Sequence, residues 1–251
     1  MIFYGDIHGD FQWLQKNYKK DSPESICQLG DMGVGFMLTK SPSKEVIETL
    51  KSLGMINSDT LTSPPVLGGN FRFIAGNHDN PDLCLEHPNC LGRWGYIEEI
   101  DLFYISGGYS IDYIVDGVQY RTPMIDWWAN EELSNDELGA MIDKFVEVKP
   151  RYVISHECPG IAQSAMFPFT MKRQINNRTK LAMDQAFVEH SPEYWMFGHY
   201  HVNKSFIHEE GGTHFRCIDI NQKYEIRNLD WPEKIKKEIF TEDLQGVEEN
   251  E

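Results

Sequence analysis

The sequence predicts an α/β protein, and two features of the chain support this class. Short apolar runs of strand type alternate with stretches in which apolar residues recur at helical spacing. Hydrophobic residues make up 41% of the 251 residues and charged residues 25%, which is ordinary globular usage and argues against a coiled coil, a collagen or a disordered chain. A chain of this length can bury a substantial core, and we expect a single domain over residues 1–240.

The first third of the chain carries three predicted strands and two predicted helices. Residues 1–4 predict a strand and residues 11–20 a helix, because the apolar residues of the second range share one helical face. Further strands are expected at residues 25–29 and 71–74, each an apolar run that stops at a glycine-containing cluster. Between these two strands, residues 42–53 have the spacing of a helix with one buried stripe.

The middle of the chain breaks this alternation. Residues 96–122 are rich in Tyr, Ile, Val and Gly and alternate with polar positions, which predicts two or three antiparallel strands. We therefore expect a β-rich insert near residues 96–128. A helix follows the insert, because Ser134 and Glu137 have the spacing of a capping box in front of an apolar stripe.

The last third returns to strands and helices. Strands are predicted at residues 151–155 and 194–197, and a helix over residues 180–190 lies between them. Residues 205–207 and 214–220 stand on either side of a glycine pair and predict a hairpin.

Polar side chains stand at the carboxyl ends of five predicted strands, the edge of an open α/β sheet at which ligands bind. The Asp-x-His and His-x-His pairs each place two side chains on one side of an extended segment. Carboxylate, amide and imidazole groups without a thiolate suit Mn²⁺, Fe, Zn²⁺ or Mg²⁺. The candidate residues are Asp6, His8, Asp31, Asn77, His78, His156, His199 and His201.

Five sequence blocks carry these residues: Gly-Asp-Ile-His-Gly at 5–9, Gly-Asp-Met-Gly at 30–33, Gly-Asn-His-Asp at 76–79, Ser-His-Glu-Cys-Pro at 155–159 and Gly-His-Tyr-His at 198–201. One such block would be weak evidence, but all five follow apolar runs and occur in a fixed order. In this the chain resembles the calcineurin-like metallophosphoesterases over residues 5–201. The resemblance implies a four-layer α/β/β/α sandwich of two mixed sheets with helices outside.

The resemblance also implies a role for each candidate residue. It implies a dinuclear centre of two divalent ions, Mn²⁺, Fe or Zn²⁺, with Asp31 as the bridging carboxylate and a bridging hydroxide as the nucleophile. His78 is then free of metal and placed to protonate the leaving group. The ligand sets that it implies are Asp6, His8 and His201 for one ion and Asn77, His156 and His199 for the other.

One departure from the family pattern concerns the binding of phosphate. Serine/threonine phosphatases of the family carry an Asp and an Arg shortly after the Gly-Asp block, whereas residues 30–36 contain neither. The predicted insert supplies one basic residue, Arg121, for which two interpretations stay open. Arg121 either pairs with Asp112 or another carboxylate, or holds the non-bridging oxygens of the substrate by a bidentate contact. Asp79 is predicted to lie behind the ligands, as a turn residue or as support for His78.

The other histidines and the cysteines are expected to be structural. Asp10 is predicted to be the N-cap of the first helix, and Cys158 a buried thiol. An odd number of scattered cysteines favours reduced thiols in the cytoplasm, and the sequence has no apolar run of membrane-spanning length. The histidines outside the blocks are His87, His190, His208 and His214.

Charge restricts the class of substrate. The 23 basic and 39 acidic residues give a net charge of −16, which repels long nucleic acids. We expect a phosphatase that acts on a phosphomonoester of a protein or a small molecule. Two alternatives stay open: a nucleotide phosphodiesterase or nuclease, and a non-catalytic scaffold with a vestigial site, against which the complete ligand set argues. The acidic tail at residues 241–251 is expected to be flexible.

Overall fold

The computed structural model describes residues 1–22, 24–35, 64–168 and 177–237. The helix predicted over residues 42–53 and the tail at residues 241–251 lie outside the described residues. The described strands form two mixed sheets and one two-stranded ribbon.

The first sheet has four short strands: β1 (Ile2–Tyr4), β2 (Ile26–Gln28), β3 (Phe71–Phe73) and β12 (Lys223–Glu225). Their order across the sheet is β12-β1-β2-β3. The three strands β1, β2 and β3 are parallel to one another, and β12 pairs antiparallel with β1. The three strands predicted in the first third of the chain are therefore confirmed.

The second sheet has six strands: β4 (Trp94–Ile97), β5 (Leu102–Ile105), β8 (Tyr152–Ser155), β9 (Tyr194–Phe197), β10 (Lys204–Ile207) and β11 (His214–Cys217). Their order is β10-β11-β9-β8-β5-β4, with the four inner strands parallel and the two edge strands antiparallel. The predicted hairpin is confirmed as the pair β10 and β11.

The stretch predicted as a β-rich insert divides into two parts. Its first strands, β4 and β5, pair antiparallel but join the second sheet, because β5 also pairs with β8. Only the ribbon of β6 (Ile114–Val115) and β7 (Val118–Gln119) stands apart from both sheets. We call residues 111–128, which contain this ribbon, the cap segment. The division of the chain into one domain with an insert stays a prediction.

Six described helices accompany the sheets: α1 (Phe11–Asp21), α2 (Pro81–Glu86), α3 (Asn135–Val148), α4 (Gly160–Met166), α5 (Arg178–Glu189) and α6 (Glu233–Lys237). Asp10 caps α1, since its carboxylate accepts the backbone N–H of Trp13 at 3.0 Å. Ser134 and Glu137 form the predicted capping box at the start of α3. The local signals at both helix starts are therefore confirmed.

The strands direct alternate side chains to opposite faces, and this produces four layers. Phe3 of β1 packs between the two sheets with Ile154 of β8, whereas its neighbour Tyr4 packs outward with Leu14 of α1. On the other side of the second sheet, Val153 packs with residues of α3 and α5. The order is helices, first sheet, second sheet, helices, which confirms the four-layer sandwich.

The cysteines and the outlying histidines have structural surroundings. All five cysteines are unpaired, and Cys158 is buried as predicted. The Nε2 atoms of His87 and His190 lie 3.2 and 2.9 Å from the backbone carbonyls of Pro64 and Pro150. None of the described helices has the length and apolar character needed to cross a membrane.

Candidate metal centre

The parallel strands bring the five sequence blocks to one edge of the sandwich. Strands β1, β2 and β3 of the first sheet and β8 and β9 of the second each end at one block or are separated from it by at most two residues. Carboxyl ends of parallel strands lie at a common edge, so loops that are up to 195 residues apart in sequence (Asp6 to His201) meet there.

The candidate ligands form two groups that share Asp31. Donor atoms of Asp6, His8, Asp31 and His201 lie within 4.8 Å of one another, and so do those of Asp31, His156 and His199. Asn77 adjoins the second group, because its Oδ1 lies 3.0 Å from Nε2 of His156. The structure therefore brings together all seven residues that the sequence predicts as metal ligands, and their role as ligands stays a prediction.

Several of these residues have an unusual backbone conformation. The φ angles are 47° at His8, 53° at Asp31, 67° at His199 and 50° at His201. This left-handed region is sparsely populated by residues other than glycine and costs about 1–3 kcal/mol for each residue. The surrounding structure holds these strained conformations, which direct the side chains of the four residues into one small space.

Two glycines permit the close approach of the strand-end loops. A Cβ atom at Gly198 would overlap a carboxylate oxygen of Asp6, and one at Gly76 would overlap both Oδ1 and the backbone nitrogen of Asp31. Any side chain at either position would therefore displace a candidate ligand. This requirement explains the glycine that precedes the ligand in the third and fifth blocks.

The surroundings of Asp31 fit a bridging carboxylate. Its Oδ1 accepts the backbone N–H of His78 at 2.8 Å, whereas Oδ2 is buried and has no hydrogen-bond partner among the described residues. A buried carboxylate oxygen without a partner is costly unless a cation or a donor meets it. Although burial opposes the effect, the imidazoles of His156, His78 and His8 hold the pKa of Asp31 well below its ordinary value.

The two groups differ in their access to solvent. The side chains of His8 and His201 are 25% and 43% exposed, and their Nε2 atoms lie 3.0 Å apart. In contrast, His156 and Asn77 are buried. The centre therefore opens towards solvent on the side of His8 and His201, from which a substrate can reach it.

His78 and Arg121 contact each other beside this opening. The ring of His78 packs edge-on against His8 with centroids 4.9 Å apart. Nη2 of Arg121 lies 2.7 Å from Nε2 of His78 and 2.5 Å from a carboxylate oxygen of Asp112. Burial lowers the pKa of His78 to about 3, with the Asp31 carboxylate opposing the effect and the Arg121 charge adding to it. The pairing of Arg121 with Asp112 is therefore observed, and its contact with a substrate stays a prediction.

Asp79 lies behind the candidate ligands and holds two blocks together. Its carboxylate accepts backbone N–H groups from Gly33 at 2.6 Å, Val34 at 2.8 Å and Gly76 at 2.8 Å. These bonds fix the second block against the third. The ring of His78, in turn, is contacted by Arg121.

Two features of the site have no role assigned in the sequence analysis. Glu157 is buried beside the second group, where its carboxylate accepts the hydroxyl of Tyr200 at 2.5 Å and lies 3.8 Å from Nε2 of His199. Its place in the fourth block, directly after a candidate ligand, is a signal that could have identified it. Ser110 contacts Asn77 directly, and Glu131 contacts Ser110. Neither residue belongs to a block.

Comparison with known proteins identifies the family. The family model of the calcineurin-like phosphoesterases matches residues 1–203. The chain belongs to this family and is a metal-dependent phosphoester hydrolase. Among solved structures it is similar to a phosphopantetheinyl hydrolase from Mycobacterium tuberculosis, with 10% sequence identity and a TM-score of 0.41 over 87% of this chain and 89% of that chain. No curated protein matches the sequence.

Proposed function

We propose that this phosphoester hydrolase is a phosphatase with a dinuclear metal centre, and that its substrate is a phosphomonoester of a protein or a small molecule. One observation carries the proposal: two groups of donor atoms share Asp31, whose buried Oδ2 has no hydrogen-bond partner among the described residues. A carboxylate in this position can face two cations at once. The donor set of oxygens and imidazoles suits Mn²⁺, Fe or Zn²⁺.

Each ion would be held by residues of both sheets. Two bound cations would supply a water molecule of lowered pKa and would hold the attacking and leaving oxygens for displacement at phosphorus. The residues that would hold them are Asp6, His8, His201 and Asp31 for one ion and Asn77, His156, His199 and Asp31 for the other.

His78 and Arg121 act on the substrate in this proposal. While Arg121 donates to Nε2 of His78, that nitrogen is an acceptor and the ring is neutral. A phosphoryl group offers Arg121 better acceptors, since guanidinium groups bind phosphate oxygens through two parallel hydrogen bonds. Movement of Arg121 onto the phosphoryl group would free Nε2 of His78 to take a proton from solvent and then donate it to the leaving oxygen.

The charge of Arg121 favours a monoester over a diester. A phosphomonoester carries close to two negative charges and a diester one, so a further cation beside the metal ions stabilises the monoester more. Arg121 lies on the side that opens to solvent, in contact with His78. It takes the place of the phosphatase Arg that residues 30–36 lack.

The test compares a monoester and a diester that share one leaving group, and adds a phosphopeptide. The protein is stripped with a chelator, reloaded with Mn²⁺, Fe²⁺ or Zn²⁺, and assayed with nitrophenyl phosphate, bis(nitrophenyl) phosphate and a phosphopeptide. We expect two bound ions and a kcat/KM at least about tenfold higher for the monoester than for the diester, equivalent to 1.4 kcal/mol. Preference for the diester would indicate a phosphodiesterase, and full metal loading without turnover of any substrate would indicate a scaffold.

The cellular setting of the reaction is part of the proposal. Five unpaired cysteines suit a reducing compartment, and we propose that the protein acts in the cytoplasm on a phosphorylated partner. The charge of −16 argues against long nucleic acids as substrates, although short or mononucleotide phosphates remain compatible with it.

A further inference from the structure

Ser110 and Glu131 form a buried hydrogen-bonded relay that ends on Asn77. Nδ2 of Asn77 donates to Oγ of Ser110 at 3.1 Å, and this hydroxyl donates to Oε2 of Glu131 at 2.6 Å. The other carboxylate oxygen of Glu131 accepts the backbone N–H of Ser110 at 2.8 Å. Both residues of the relay are buried, and neither lies in one of the five sequence blocks.

The carboxylate of Glu131 fixes the direction of each hydrogen bond in the relay. An ionised carboxylate can only accept hydrogen bonds, so the Ser110 hydroxyl must donate its single proton to Glu131. Oγ of Ser110 then has only lone pairs left for Asn77 and must receive a donor. The amide nitrogen of Asn77 satisfies this requirement, and its oxygen is consequently turned to the opposite side, towards His156.

We propose that Glu131, acting through Ser110, is a positioning residue that fixes the amide of Asn77 with Oδ1 facing the second metal position. The inference rests on the proposed dinuclear centre and adds a requirement to it. An asparagine amide has nearly the same shape after a half-turn, which exchanges its oxygen and nitrogen. Only the oxygen can bind a cation, so an amide without a fixed orientation binds metal more weakly.

The relay also closes the base of the cap segment. Ser110 precedes the segment and Glu131 follows it, and their two hydrogen bonds join chain positions 21 residues apart. The carboxylate that acts on Asn77 through Ser110 therefore comes from the chain that follows the cap segment. This part of the chain carries none of the five blocks. The two hydrogen bonds therefore hold the chain before and after the cap segment beside Asn77.

The decisive variant is Glu131→Gln, which preserves shape but reverses the hydrogen bond. The amide oxygen at position 131 must still accept the backbone N–H of Ser110, so the amide nitrogen faces Oγ of Ser110 and donates to it. The hydroxyl proton of Ser110 must then turn towards Asn77. The amide of Asn77 then makes a half-turn to accept that proton, and its nitrogen faces the metal position. We expect one of two metal ions to bind about 10- to 100-fold more weakly, as is typical when an outer partner of a ligand is changed.

The measurement is metal binding itself and needs no substrate. Full-length wild-type and variant proteins are titrated with Mn²⁺ at pH 8, where Glu131 is ionised although burial raises its pKa to about 7. Bound metal is counted after equilibrium dialysis, and melting temperature is recorded in parallel. Ser110→Ala, which removes the hydroxyl altogether, is a second variant with the same expected loss of affinity.

A matched control is Glu132→Gln. Glu132 is a buried carboxylate next in the chain, but it accepts the backbone N–H and the hydroxyl of Thr179 at 3.2 and 3.0 Å. Its substitution should lower the melting temperature and leave the affinity for both ions unchanged. Loss of metal in this control equal to that in Glu131→Gln would assign the effect to general destabilisation and overturn the inference.

A double substitution tests orientation directly. A carboxylate at position 77 has two equivalent oxygens, so Asn77→Asp removes the need for a fixed orientation. In that background, Glu131→Gln should have little further effect on metal affinity, because either oxygen of the new carboxylate can face the metal position. Equal weakening by Glu131→Gln in both backgrounds would overturn the inference.

The wild-type protein separates this inference from the proposed function. Fewer than two ions bound to wild-type protein would overturn the dinuclear centre and the inference with it. Two ions bound to wild-type protein, with unchanged affinity in Glu131→Gln and Ser110→Ala, would overturn the positioning role alone.

Discussion

The strand-end blocks and the cap segment meet at the same opening but are held in different ways. The blocks are buried: Asp6 and His156 are inaccessible to solvent, and glycines at 76 and 198 admit carboxylate atoms where a side chain would stand. The cap segment is a two-stranded ribbon outside both sheets, and Met124 within it is 85% exposed. In the proposed function, the blocks form a fixed metal-binding floor and the cap segment contacts the substrate.

The cap segment has its own limited internal packing. The rings of Tyr113 and Trp127 stack in parallel with centroids 3.8 Å apart. Arg121 is held between Asp112 and the backbone carbonyl of Asp126. These contacts within the cap segment hold Arg121 together with its contact to His78. A substitution in the cap segment should therefore change substrate kinetics and leave the metal-binding floor intact.

The largest effect is expected for Asp31→Asn, in the floor. The substitution keeps the shape of the side chain but removes the charge that would hold two cations together, so bound metal should fall below two ions per protein. Turnover should fall by at least about 10³-fold, more than the 10- to 100-fold loss that follows a change in an outer partner. The measurements are metal content and kcat. Two retained ions with most of the activity would remove Asp31 from the bridge.

His78→Ala, at the boundary between floor and cap segment, should have the next largest effect. Both ions should remain bound, and the rate should fall by roughly 10² to 10⁴, the range typical of general acid–base groups. The loss should be smaller for nitrophenyl phosphate than for an alkyl phosphate, because nitrophenolate leaves without a proton. An equal loss with both leaving groups would contradict the role of His78 as the acid.

Arg121→Lys, in the cap segment, should have a moderate effect. Lysine keeps the charge but cannot form two parallel hydrogen bonds to a phosphoryl group, so kcat/KM should fall by roughly 10- to 100-fold on the monoester. Metal content and melting temperature should be nearly unchanged. Unaltered kinetics, or a lower melting temperature as the only change, would assign Arg121 to a structural role.

The smallest effect is expected for Asp112→Asn. The side chain of Asp112 is 51% exposed, and exposed ion pairs contribute about 0–1 kcal/mol. A change in kcat/KM of less than about fivefold is therefore expected, with unchanged metal content. A loss as large as that of Arg121→Lys would show that Asp112 positions Arg121 for the substrate, and it would weaken the division between a fixed floor and an independent cap segment.

Much of the fold could be predicted because its signals are local. Apolar runs identified the strands β1, β2, β3, β8 and β9, and the capping residues Asp10 and Ser134 identified two helix starts. The pairing of strands is not local. Residues 96–122 predicted two or three antiparallel strands of an insert, yet β5 joins the second sheet because it also pairs in parallel with β8.

The candidate ligands could be named from the sequence for a similar reason. Each stands within four residues of the carboxyl end of a strand, so strand direction brings them to a common edge. Arg121 has no such signal. Its distance to His78 depends on how the cap segment folds back over the floor, and the sequence left two interpretations of it open.

The sequence by itself determined the order of the strands along the chain, the residue types at their ends and hence the chemistry of a metal-dependent phosphoester hydrolase. Only the tertiary structure decided that Glu157 lies near His199 and that Glu131 contacts Asn77 through Ser110. The physical reason is that a strand end is specified by neighbours in sequence. A buried hydrogen bond between residues such as 110 and 131 is specified by the folded packing around it.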